Sequence, residues 1–181
     1  PVSGGTAGAA QGTLAIMVGG TQADFDRAQP IFAALGRATR VGDHGAGQLA
    51  KLANQMIVGI TIGAVAEAVL LCEKSGVDPA RVMQALAGGA ADSRILRAHG
   101  QRMIERQFEA HARMTVQLKD LRNALASARA VGMSAPRAAP ELPSAPALVN
   151  TWADLVGLVS ATITMKAGGS AKSRYDKLKP V

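Results

Sequence analysis

The apolar positions change period along the chain. Residues 13–18, Thr-Leu-Ala-Ile-Met-Val, make a short apolar run closed by Gly19 and Gly20, and this predicts a strand. Thr21 then stands as an N-cap for a helix over 22–35, stopped by Gly36. Pro30 falls inside that helix. It has no N–H and its ring crowds the preceding turn, so it predicts a kink or a broken first half. Residues 37–41 make a second short strand. A strand, a helix and a strand in this order read as the tail of an α/β domain.

From Ala46 the spacing becomes helical. Leu49, Leu52, Ala53, Met56, Ile57, Ile60, Val65, Ala68, Val69 and Leu71 predict one helix of about seven turns that reaches Ser75 and Gly76. Glu67 is the only charge between Asn54 and Cys72, and Gly59 and Gly63 form a GxxxG pair. A membrane span must therefore be weighed. Lys51 and Asn54 at the helix start, Glu67 within it and the lack of flanking aromatics favour a central buried helix, approached closely at its glycines. No membrane partner is expected.

Asp78 and Pro79 pair a cap with proline at the first helical position, starting a helix to about Ala87. Further helices are expected over 93–106 and 115–131, the last stopped by Gly132. Beyond it, Pro136, Pro140, Pro143 and Pro146 forbid a regular long helix. Residues 152–165 are apolar enough for helix or strand, and the end of the chain is small, Gly- and Lys-rich. The expected fold class is mainly α: an all-helical C-terminal domain after a short βαβ remnant. The expected division is 1–43, 44–135 and 136–181, the last a Pro-rich and basic segment.

Composition supports helices, because aromatics are only 3% and aliphatics with alanine supply the core. The formal net charge of +7 points to an anionic partner. Nucleic acid is disfavoured, since the basic residues are scattered and the few aromatics lie far apart. A small carboxylate or a cofactor phosphate suits the charge as well. The single cysteine, Cys72, cannot form an internal disulfide and reads as a buried thiol of a cytoplasmic protein. His44, His99 and His111 are too dispersed for a metal site, so no metal is expected. The opening Pro-Val-Ser-Gly-Gly shows no secretory signal and reads as the interior of a longer chain.

One motif invites a dinucleotide reading. Gly45-Ala46-Gly47-Gln48-Leu49-Ala50 matches GxGxxA, with Glu67 at about the right distance for a ribose contact. Yet Glu67 lies within the long helix, with no second strand between, so the glycines are read as a tight turn at the helix start. The same glycines lead to Lys51 and Asn54, three apart on one helix face. Lys51 could snorkel to the surface. It could also act as a general acid–base, since partial burial brings a lysine's proton transfer towards neutrality. Spacing alone does not choose. Lys119 and Asp120 flank the stripe Leu118, Leu121, Leu125 and Ala128, and by themselves read as a solvated edge.

Taken together, Pro1 to Gly5, Gly12-Thr13-Leu14 with Met17 to Gly20, the Gly42-to-Asn54 motif and Lys119-Asp120-Leu121 resemble the β-hydroxyacid dehydrogenases, the family of 3-hydroxyisobutyrate dehydrogenase and tartronate semialdehyde reductase. The resemblance covers about Pro1 to Pro136. It implies that the βαβ remnant is the end of a Rossmann domain, with NAD or NADP as cofactor. Lys51 then matches the catalytic lysine and Asn54 its partner at the substrate. Ser3, Gly4 and Gly5 match the segment that holds the substrate carboxylate, Lys119 a lysine near the cofactor, and Phe108 a residue on the cofactor side. Homodimers or higher homo-oligomers are implied. Without the GxGxxG of the Rossmann domain, this chain alone is expected to be inactive or nearly so.

Other readings are an imine reductase, which Lys51 argues against, a non-catalytic helical dimerisation module from a truncated paralogue, and a nucleic-acid binder whose affinity would fall steeply with salt.

Overall fold

The computed structural model describes residues 1–107 and 114–135. It divides into two units, Pro1–Ile57 and Val58–Val181. The chain is mostly helical, with one small three-stranded sheet.

In the first unit, β1 (Val2–Ser3), α1 (Gly5–Ala10), β2 (Leu14–Gly19), α2 (Gln22–Leu35) and β3 (Gly36–Gly42) follow one another. The strands lie in the order β1-β2-β3. β2 and β3 are parallel, with Leu14 opposite Gly36 and Ile16 opposite Ala38; α2 is the crossover between them. Leu14 and Ile16 are buried, as alternation on a half-covered strand requires. The Thr21 hydroxyl accepts from the Asp24 N–H at 3.1 Å, so the expected cap forms. α2 continues through Pro30 as one element and is not broken there. The sequence did not foretell β1, which pairs antiparallel with β2 through Val2 opposite Ile16 and Ser3 opposite Ala15, nor the single turn and a half of α1. Two residues are too few to show a period.

α3 (Ala46–Lys74) is 29 residues long, about eight turns. By length and composition it could cross a membrane, but the described residues bury only one of its faces. Ile62, Val65, Ala66 and Val69 make that face and pack with Leu96 and Met103, edged by Met83 and Leu86. The expectation of a central buried helix holds for this stripe alone, because Ile57, Ile60 and Leu71 are exposed. Cys72 is half-buried rather than fully enclosed.

α4 (Pro79–Leu86) begins at Asp78, whose carboxylate accepts from the Ala80 N–H at 2.9 Å. The helix expected over 93–106 contains a π turn, Leu96–Gly100, before α5 (Gln101–Ile104). α6 (Met114–Ala130) buries Leu121, Ala124 and Ala128. The expected segment 136–181 lies outside the described residues, as does His111.

Candidate functional site

The first unit builds its site where β1, the end of β2 and the start of α3 meet. Two glycines make the approach close. A Cβ on Gly47 would stand 2.7 Å from the Met17 carbonyl oxygen and 2.9 Å from Gly19 N. A Cβ on Gly19 would stand 2.6 Å from the Asp43 carbonyl oxygen and 2.8 Å from Gly47 N. Only hydrogen on both residues lets the helix start sit on strand backbone.

Lys51 follows Gly47 by four residues and so projects from the same helix face. It is half-buried, and its Nζ donates to the Val2 carbonyl oxygen at 2.8 Å. The Pro1 carbonyl accepts from the Met17 N–H at 2.9 Å. Successive strand carbonyls point to opposite edges, so Val2 presents its oxygen on the outer edge of β1, the edge strand.

Ser3 ends β1, Gly4 is the N-cap of α1 with φ 141°, and Gly5 opens that helix with φ 64°. Thus Lys51 reaches the residue immediately before the predicted carboxylate-holding segment. Asn54 is half-buried, one helical step further on, and its Nδ2 donates to Gln55 Oε1 at 2.8 Å.

Lys119, in the second unit, is 65% exposed at its side chain and pairs with Asp120 at 3.2 Å; Asp120 is largely covered. Phe108 lies outside the described residues. His44 is exposed. In the π turn, burial first and then the Arg102 charge hold His99 below its ordinary pKa. Among the described residues, no group of three or more His, Cys, Asp or Glu side chains is placed to hold a metal ion.

The turn carrying GxGxxA can be tested as a phosphate cradle. The Ala46 N–H donates to the Asp43 carbonyl at 3.0 Å, and those of Gln48 and Leu49 donate to the Gly45 carbonyl at 3.0 and 3.2 Å. With these donors engaged and Gly47 pressed against β2, the turn does not fit a pyrophosphate. The polar group that the start of α3 does present here is the Lys51 amine beside β1. Two parts of the site escaped the sequence reading: the Val2 carbonyl, because any residue carries one, and the docking role of Gly19, which read only as the end of a strand.

The comparisons with known proteins agree on a class. The family model described as "NAD-binding of NADP-dependent 3-hydroxyisobutyrate dehydrogenase" matches residues 45–141, more than half of the chain. That described as "NAD binding domain of 6-phosphogluconate dehydrogenase" matches residues 1–45. Both descriptions are of dinucleotide-dependent dehydrogenases.

Within that class, the chain belongs to the β-hydroxyacid dehydrogenase family. It is 52% identical over 140 residues to 2-hydroxy-3-oxopropionate reductase of Escherichia coli K12, covering 77% of this chain and 48% of that protein. Among solved structures, 3-hydroxyisobutyrate dehydrogenase from Salmonella typhimurium matches with a TM-score of 0.70 at 26% identity, over 91% of this chain and 54% of that one. A Mycobacterium tuberculosis 3-hydroxyisobutyrate dehydrogenase with L-serine matches with a TM-score of 0.69 at 25% identity, over 99% and 60%. The chain spans about half the length of the relatives it matches.

Proposed function

We propose that this chain is the substrate-binding and catalytic half of an NAD(P)-dependent oxidoreductase that interconverts a small 3-hydroxy acid and its semialdehyde. The observation that carries the reading is the Lys51 amine held 2.8 Å from the carbonyl of Val2, next to Ser3. L-serine, which accompanies the Mycobacterium tuberculosis relative, has the same two handles, a carboxylate and a 3-hydroxyl. The proposed domain division at residues 43 and 44 is supported by the two family matches, which meet at residue 45.

A bound nicotinamide, of NAD or NADP, supplies or accepts the hydride. Lys51 gives a proton to the substrate carbonyl oxygen in reduction and takes the hydroxyl proton in oxidation. The Asn54 carboxamide holds the same oxygen. The Ser3 hydroxyl and the N–H groups of Gly4 and Gly5 hold the carboxylate. Lys119 and Phe108 serve the cofactor side. The assembly is a homodimer or larger, for which the exposed Ile60 and Leu71 of α3 provide apolar surface.

The test is a hydride-transfer assay on the full-length protein with a panel of small 3-hydroxy acids and semialdehydes, followed by nicotinamide absorbance. Turnover that collapses in a folded Lys51→Ala variant supports the reading. Equal turnover in both proteins removes Lys51 from the chemistry, and no turnover with any substrate by a folded protein points to a non-catalytic module.

A further inference from the structure

A lysine side chain has four rotors and loses much freedom when its end is held in one place. Proton transfer needs donor and acceptor within hydrogen-bond reach, so a free-swinging Lys51 would spend little time in register with a substrate held at Ser3 to Gly5. Three features of the first unit remove that freedom. The outer-edge carbonyl of Val2 accepts one Lys51 N–H at 2.8 Å. Val2 itself is tied into the sheet opposite Ile16, with Pro1 bonded to Met17 beside it. And Gly47, one turn before Lys51 on the same face, rests on β2 so closely that its missing Cβ would lie 2.7 Å from the Met17 oxygen and 3.3 Å from Pro1 Cδ.

We propose that Gly47 and the Val2 carbonyl are positioning elements of the proton-transfer step: the glycine sets how near α3 stands to the sheet, and the carbonyl orients the Lys51 amine beside Ser3. The inference rests on the role given to Lys51 above. Lys51 does the chemistry and Gly47 touches no reactant. The arrangement ties the amine and the carboxylate-holding segment to one two-residue strand, so their separation is set by backbone and not by side-chain rotamers.

Gly47→Ala tests this, because its methyl must push α3 off the strand by several tenths of an ångström. In the full-length protein, kcat should fall roughly 10- to 100-fold, the scale of a misplacement of this size, while KM stays within about threefold. Gly63→Ala, in the same helix with nothing among the described residues within 4 Å of the added methyl, should leave kcat unchanged. A folded Gly47→Ala enzyme of normal kcat, beside an inactive Lys51→Met, would overturn the positioning role and leave the catalytic one standing. Normal turnover by Lys51→Met would end both. Should Gly47→Ala fail to fold, the wild-type protein labelled with 15N-lysine and 13C′-valine decides. A scalar coupling between Lys51 Nζ and the Val2 carbonyl carbon is expected, and its absence overturns the proposal.

Discussion

Gly19 and Gly47 meet backbone to backbone, each occupying the space that the other's Cβ would need. The contact joins the end of a parallel strand to the first turn of a 29-residue helix. Gly19→Ala would place a methyl 2.6 Å from the Asp43 carbonyl and 3.1 Å from Ala46 N, and these neighbours are backbone, not yielding side-chain ends. We expect a loss of about 1–3 kcal/mol, read as a lower melting temperature by circular dichroism. An unchanged melt would mean that the helix start slides away at no cost.

Lys51→Arg separates structure from chemistry. The guanidinium can still donate to the Val2 carbonyl, but it keeps its protons throughout the accessible pH range. Thermal stability should stay near that of the wild type while kcat falls by roughly 10²- to 10⁴-fold, the usual contribution of a general acid–base group. An arginine variant that turns over normally would show that the position needs only positive charge.

His99 gives the fold a pH dependence of known sign. Burial, and then the Arg102 charge, lower its pKa in the folded state from the ordinary 6.5. The unfolded chain therefore binds a proton at a higher pH than the folded chain does. Above pH 6.5 both states are neutral at this site and nothing is lost. As pH falls through that value toward the lowered folded one, stability drops, and below the folded value the loss is complete. His99→Gln should flatten this part of the stability profile in chemical denaturation at graded pH. A wild-type profile that rises on acidification through this window would contradict the burial of the imidazole.

Much of this was legible because local chemistry decides it. Thr21 and Asp78 cap their helices through their own side chains, so the caps can be read from residue type. Lys51 stood out as a charge at the start of an apolar helix. Other features had no residue-type signature. β1 exists only because β2 pairs with it. The π turn at Leu96–Gly100 is a change of hydrogen-bond step that no composition announces. The Val2 carbonyl belongs to the backbone, and which edge it faces depends on pairing. Ala124 is buried in α6 with Leu121 and Ala128, and alanine, at home on either side of a helix, does not by itself mark a buried position.

The GxxxG pair of α3 gives a last prediction, because its two glycines stand in unlike surroundings. A methyl on Gly59 would lie 2.8 Å from Gln117 Nε2 and 3.2 Å from both Leu121 methyl groups of α6. Among the described residues, a methyl on Gly63 would meet nothing within 4 Å. Alanine is favoured over glycine in a helix interior by about 1 kcal/mol. Gly63→Ala should therefore stabilise the protein by about 0.5–1 kcal/mol. Gly59→Ala should forgo that gain, since Gln117 must swing aside and Leu121, buried at 9% exposure, has less room to yield. Urea denaturation of the two variants makes the comparison directly. If both substitutions destabilise equally, the two glycines act as one close-packing motif. If only Gly59→Ala falls short, a single glycine of the pair admits α6.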